Sequence, residues 1–149
     1  MKVLLQRVLQ AEVRVHGERI GRIGAGLLVM VGIEQDDCTA DADHLADKAA
    51  ELRIFADERG RMNLSLEQTQ GQALVVSQFT LAATTRRGRR PSYSRAALAE
   101  IAEPLYQRFA ARLLARGVHV VCGRFGAQMQ VELVNDGPVT ILLDSEGTR

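Results

Sequence analysis

Apolar and polar positions alternate through the first fifteen residues. Val3, Leu5, Val8, Val13 and Val15 are spaced for a strand, with one irregularity around Leu9-Gln10-Ala11. Gly17-Glu18 supplies a turn, and Ile20 and Ile23 mark a short second strand punctuated by Gly24-Ala25-Gly26. Residues 27–33 form an unbroken apolar run between glycines, which predicts a strand buried on both faces. The period then changes. Asp36-Asp37-Cys38-Thr39 offers N-cap residues, and Ala42, Leu45, Ala46, Ala49 and Leu52 fall on one helical face. That helix is expected to end near Phe55. Asp57-Glu58-Arg59-Gly60 reads as a turn, residues 61–71 as loop, and residues 74–79 as a strand with a polar tip.

A second helical stripe runs through Leu98, Ile101, Leu105, Phe109 and Leu113 and stops at Gly117. Pro104 lies within it, so the helix either kinks there or starts there. Strands are expected at 118–122, 129–134 and 139–143. In the middle one Met129, Val131 and Leu133 alternate with Gln128, Gln130 and Glu132, giving one wet face. The resulting fold class is α/β in the mixed α+β sense: a layered β-sheet assembly covered by two main helices, in one domain spanning 1–149.

Composition adds exclusions. The chain is 46% apolar and 25% charged, which removes disorder as the main state. Its net charge of +1 gives no global pull toward nucleic acid or membrane, so electrostatic recognition must be local. Cys38 and Cys122 are not in a C-x-x-C pair and read as reduced, buried thiols. The amino terminus lacks the apolar stretch of a signal peptide, and no run is long enough to span a bilayer. A soluble, cytoplasmic protein is expected.

The candidate chemistry is sparse. His16, His44 and His119 fall on separate elements without ligand spacing, so no metal is expected. Phosphate-cradling glycine loops and a Gly-x-Ser-x-Gly elbow are absent from the sequence. Two polar interruptions of apolar strands remain. In Ser77-Gln78-Phe79-Thr80-Leu81 a strand leaves the core carrying hydroxyls and amides. These can satisfy loop groups, or they can present N–H donors to an oxyanion. Asn135-Asp136-Gly137-Pro138-Val139-Thr140 is rich in turn formers, yet Gly137 also permits close approach of backbone to a ligand. Between them, residues 84–95 hold five arginines, among them Arg86, Arg87, Arg89 and Arg90. That cluster is a solvated loop or a phosphate dock. Arg108, Arg112 and Arg116 recur every four residues, either as a basic RNA stripe or as an ordinary helix face.

Together these segments resemble the D-aminoacyl-tRNA deacylase family. The likeness rests on Ser77-Gln78-Phe79-Thr80-Leu81 and Asn135-Asp136-Gly137-Pro138-Val139-Thr140 in that order. Met62-Asn63, Arg89-Arg90-Pro91-Ser92, the Gly123-Arg124-Phe125-Gly126 stretch through Met129, and the amino-terminal residues extend it. Tyr93 and Gln128 depart from the family's common Phe and acidic residue.

The resemblance implies hydrolysis of the ester joining a D-amino acid, or mischarged glycine, to the 3′-terminal adenosine of tRNA. It implies a homodimer in which the Gly-Pro of one subunit enters the pocket of the other. It assigns catalysis to Ser77, Gln78, Phe79 and Thr80, and substrate contacts to Gly137, Pro138, Phe125, Met129 and Asn135. The arginine segment is assigned to tRNA, and no cofactor is implied. A non-catalytic RNA-binding module, or an esterase with Thr80 as nucleophile, are the alternatives.

Overall fold

The period-two segments pair into one mixed sheet whose longest members lie side by side. The computed structural model describes residues 1–86 and 88–146. Strand β1 (Lys2–Val15) is followed by β2 (Glu18–Ile23) and β3 (Gly26–Gly32), both antiparallel to it. Residues 2–8 of β1 pair with β3, and residues 11–15 pair with β2. Helix α1 (Thr39–Glu51) and a small hairpin of β4 (Phe55–Ala56) and β5 (Met62–Leu64) lead to β6 (Gln72–Ser77). A 3-10 turn (Phe79–Ala82), helix α2 (Ala99–Ala115), β7 (His119–Cys122) and β8 (Met129–Asp144) complete the order. β6 lies parallel to both β3 and β7, while β8 runs antiparallel along β1.

β3 is buried on both faces, as its unbroken apolar run predicts. Leu27, Val29 and Val31 join a cluster with Leu45 of α1 and Phe109 and Leu113 of α2. Leu28 faces the other way and packs with Val8, Val13, Ile23, Leu74 and Val76. The long β1 serves both cores, Val3 and Leu5 entering the first and Val8 and Val13 the second. The irregularity expected near residues 9–11 is present as register shifts between Gln6 and Gln10.

Four expectations change. Helix α1 stops at Glu51, and Phe55 belongs to the hairpin, whose turn is tied by the Asp57 carboxylate accepting the N–H groups of Arg59 and Arg61 at 2.9 and 3.0 Å. Two- and three-residue strands are too short to leave a periodicity, so in sequence this hairpin looks like loop. Helix α2 runs from Ala99 through Pro104, so the helix does not start at Pro104. Its buried face is Ala102, Leu105, Tyr106, Phe109, Ala110 and Leu113, whereas Leu98, which precedes the helix as its N-cap, and Ile101 are 71% and 45% exposed. The two thiols expected inside are exposed: Cys38 is the N-cap of α1 and Cys122 ends β7. Finally, the strands expected on either side of residues 135–138 are one strand. Gln6 pairs with Thr140 and Val8 with Asn135, so Arg7 alone faces residues 136–139. The turn formers make a bulge in β8 and not a chain reversal.

At its far end α2 closes on Gly117, whose φ of +83° suits glycine. The N–H groups of Gly117 and Val118 return to the carbonyls of Leu114 and Leu113 at 2.9 and 3.2 Å.

The two helices are also laced by charge. Arg108 grips Asp43 with both Nε and Nη2, at 2.7 and 2.6 Å. Arg112 grips Asp47 in the same way at 2.7 and 2.8 Å. Arg116 reaches Glu67 and Glu51 at 2.5 and 2.6 Å. The stripe of three arginines is therefore a ladder to Asp43, Asp47 and Glu51 of α1 and to Glu67 after β5, its charge neutralised within the fold. The guanidiniums hydrogen-bonded to Asp43 and Asp47 hold both carboxyls below the usual carboxylate range. A depressed folded value means the stabilisation is full above about pH 4 and is lost as pH falls through it. Urea midpoints of wild type and an Asp43→Asn/Asp47→Asn variant should differ near pH 7 and draw together as pH falls below about 4. A gap independent of pH would show that the ladder's charge does not contribute.

Candidate functional site

At the carboxyl end of the parallel pair β3 and β6 the two layers part and leave a cleft of about 400 Å³. Val31, Val76, Ala102, Phe125, Met129 and Val131 supply most of its apolar surface. The small side chains of Ala99 and Ala102, on the first turn of α2, keep it open. Its edge is Ser77, Gln78 and the backbone of Phe79, where β6 gives way to the 3-10 turn. Gln78 N–H is held by the Val31 carbonyl at 2.8 Å, which anchors this edge to β3. The N–H groups of Phe79 and Thr80, which open the turn, donate to no acceptor among the described residues. A short turn with free leading N–H groups offers fixed donors to an oxygen carrying developing negative charge.

Below the cleft Tyr106 acts as a pillar. Its hydroxyl donates to the Val75 carbonyl at 2.8 Å, and its ring lies 5.7 Å from that of Phe125. Burial pushes the phenol well above its usual range, so it stays a neutral donor. The cleft lining contains no carboxylate, imidazole, amine or thiol. Thr80 is not part of the lining, and its hydroxyl accepts from the Gln78 side-chain amide. An amide cannot take a proton from a hydroxyl, so nothing in this geometry activates Thr80 as a nucleophile.

Residues 4–144 match the family described as D-Tyr-tRNA(Tyr) deacylase. Relatives named D-aminoacyl-tRNA deacylase include one from Symbiobacterium thermophilum, 55% identical over 99% of this chain and 98% of its own. Another, from Roseiflexus sp. strain RS-1, is 61% identical over 97% of this chain and 94% of its own.

The chain belongs to the D-Tyr-tRNA(Tyr) deacylase family.

Among solved structures, one described as c-Myc DNA Unwinding Element Binding Protein is similar at a TM-score of 0.91 and 40% identity, over 97% of this chain and 99% of that one. A second, described as a probable eukaryotic D-amino acid tRNA deacylase, shares the fold at a TM-score of 0.82 and 21% identity, over 95% of this chain and 97% of that one.

Against this deacylase framework the site residues read from sequence divide into three places. Ser77, Gln78, Phe79, Phe125 and Met129 line the one cleft, with Thr80 beside it. Asn135, Gly137 and Pro138 do not line it; they form the bulge of β8, where Gly137 and Pro138 are exposed and their peptide bond is cis. The Asn135 side-chain amide donates to the carbonyls of Arg7 and Val139 at 2.8 and 3.3 Å, closing the bulge at its base. Arg86, Arg89 and Arg90 are exposed on a loop closed by mutual backbone hydrogen bonds between Thr84 and Ser92 at 2.8 and 2.9 Å. Arg87 lies outside the described residues.

Sequence reasoning missed two contributors to this deacylase fold. Tyr106 sits next to Leu105 on the helix stripe and is indistinguishable there from core. Arg7 leaves a signal: a charge at the position where the inward alternation of Val3 and Leu5 would place the next apolar residue. Its side chain is 13% exposed, its Nε lies 2.8 Å from an Asp136 carboxylate oxygen, and its Nη1 donates to the Ile54 carbonyl. Among the described residues no group of three or more His, Cys, Asp or Glu is placed to hold a metal ion. Among them, too, no helix is long and apolar enough to cross a membrane.

Proposed function

We propose that this chain, a D-aminoacyl-tRNA deacylase by family, cleaves the ester between a D-amino acid and the terminal ribose of tRNA in the cleft beside Ser77, Gln78 and Phe79. The observation that carries the reading is a ligand-sized cleft lined without an acid or base, at whose edge Phe79 carries a free backbone N–H followed in the chain by that of Thr80. Such a site suits an ester that is already activated. The Phe79 and Thr80 N–H groups stabilise the oxyanion, while the apolar floor under Phe125 and Met129 excludes bulk water. With no base in the lining, the neighbouring 2′-hydroxyl of the terminal ribose assists the attacking water.

The cleft is completed by a second copy. Gly137 and Pro138 are exposed on β8 and do not reach their own cleft, which supports their insertion into that of a partner. Leu9, Val134 and Leu142, 58%, 45% and 55% exposed on β1 and β8, supply apolar surface for such an interface. In the partner's cleft Gly137 and Pro138 form a backbone wall against Cα that admits a D side chain or the hydrogen of glycine and refuses an L side chain. Rejection by about 1000-fold requires roughly 4 kcal/mol, within reach of steric overlap with a rigid wall. Arg86, Arg89 and Arg90 dock the tRNA phosphates, and the protein works in the cytoplasm.

The test is ester loss from D- and L-aminoacyl-tRNA. D-esters should be hydrolysed and L-esters spared, whereas equal binding of charged and uncharged tRNA without ester loss would favour a binding module. Sedimentation should give about twice 16.3 kDa. Replacing Arg86, Arg89 and Arg90 with Ala should weaken tRNA binding and lower its log–log salt slope by about 0.7–0.9 for each phosphate that is no longer neutralised. The preference for D over L should not move. An unchanged slope would mean the loop is only solvated surface.

A further inference from the structure

Phe79 occupies an unusual position for a phenylalanine. It lines the cleft mouth yet is 59% exposed, so burial does little to fix its ring. Among the described residues its ring partner is Tyr93, at a centroid distance of 5.1 Å and an edge-to-face angle of 66°. Tyr93 is itself well placed to hold something. Ser92, just before it, exchanges both backbone hydrogen bonds with Thr84. Its own carbonyl accepts the Ala96 N–H at 3.0 Å, and Ala97 N–H donates to the Ile33 carbonyl at 3.0 Å. The backbone under Tyr93 is thus tied to the base of the arginine loop on one side and to the end of β3 on the other. What Tyr93 offers Phe79 is its ring, not its hydroxyl.

We propose that Tyr93 is a positioning residue for deacylation: its ring holds Phe79 at the cleft mouth and so keeps the turn after β6 in the geometry that receives the ester. The inference rests on the reading of this cleft as the site of hydrolysis. An edge-to-face pair selects one ring orientation over its alternatives. The same turn carries the Phe79 and Thr80 N–H groups, and small displacements of such donors are felt in the chemical step. Tyr93 acts here through Phe79 and does not touch the reacting atoms.

The experiment compares Tyr93→Phe and Tyr93→Ala with wild type on two substrates, D-aminoacyl-tRNA and the D-aminoacyl ester of adenosine, which lacks the phosphates. Tyr93→Phe should stay within about twofold of wild type in kcat and KM, because the ring is kept. Tyr93→Ala should lower kcat roughly fivefold to tenfold on both substrates, with KM changed less than about twofold. Its salt slope of tRNA binding should match wild type, since the arginines remain. Thermal melts confirm that both variants are folded. A rise in KM at constant kcat would make Tyr93 a tRNA contact and overturn the proposal. So would a loss confined to the full tRNA, an equal loss in Tyr93→Phe, or wild-type rates in Tyr93→Ala. If wild type itself spares both D-esters, the reading of the cleft fails first, and this inference falls with it.

Discussion

Gly137→Ala is expected to fold like wild type and to lose deacylation by about 100-fold or more, on D-aminoacyl-tRNA and glycyl-tRNA alike. Within its own chain the substitution is nearly free. Beyond its chain neighbours, the three atoms nearest to a Cβ at Gly137 all belong to Asn135, at 3.4 Å for Oδ1, 3.7 Å for Cγ and 3.9 Å for the carbonyl oxygen. Those are ordinary contacts, and the Gly137 backbone is not in the left-handed region. Stability should therefore stay within about 0.5 kcal/mol of wild type, as for other exposed substitutions. The loss of activity arises elsewhere, in the partner's cleft, where the added methyl group stands against the substrate Cα. Because glycine, D- and L-esters all carry that Cα, the damage should not depend on side-chain chirality. Single-turnover hydrolysis of D-aminoacyl- and glycyl-tRNA, paired with a thermal melt, separates the two effects. A folded variant with wild-type rates on both would remove Gly137 from the substrate's surroundings and with it the proposed wall.

What the sequence discloses depends on how far each feature extends along the chain. The β3 run and the α1 and α2 stripes each carry several residues at one period, so burial follows the pattern in β3 and α1, and in α2 from Leu105 onward, while Leu98 and Ile101 at its start stay exposed. The hairpin of β4 and β5 has too few residues to carry a period. The bulge in β8 reads as a turn because Asn, Asp, Gly and Pro favour any sharp departure from a flat strand. Whether such a departure reverses the chain depends on the neighbour, and here β1 pairs with β8 on both sides of it. The same reason keeps the site divided in sequence. Ser77, Gln78, Phe79, Phe125 and Met129 meet because β6 ends beside the segment leading into β8, a tertiary fact with no local signature. The arginine stripe on α2 is indistinguishable from an RNA-facing row until Asp43, Asp47, Glu51 and Glu67 stand opposite it. Arg7 is visible as a charge that interrupts the inward series of Val3 and Leu5, but its meaning requires knowing which backbone bulges past it.

That meaning leads to the other large effect. Arg7→Leu is expected to lower kcat/KM on D-aminoacyl-tRNA by about 100-fold and to weaken rejection of L-esters. The guanidinium spans two elements at once: Nε lies 2.8 Å from an Asp136 carboxylate oxygen and donates to the Asp136 carbonyl at 3.2 Å, while Nη1 reaches the Ile54 carbonyl before β4. Its own carbonyl accepts the Asn135 amide at 2.8 Å. One residue thus fastens the bulge carrying Gly137 and Pro138 to the body of the fold through side chain and backbone together. Leucine fills the space but leaves the Ile54 carbonyl and Asp136 without their donor, at a cost of about 1–3 kcal/mol of stability. The wall then keeps its composition but loses its fixed position. A loosened wall gives way to an L side chain, so the ratio of D to L hydrolysis should fall even at temperatures where the variant is fully folded. Arg7→Lys keeps the charge without the planar fork that reaches both partners, and should land between wild type and Arg7→Leu. The measurement is hydrolysis of matched D- and L-esters per folded molecule, with folding followed by circular dichroism. A variant that melts earlier yet retains wild-type kcat/KM and D-to-L ratio would make Arg7 a purely structural residue, remote from the choice of substrate.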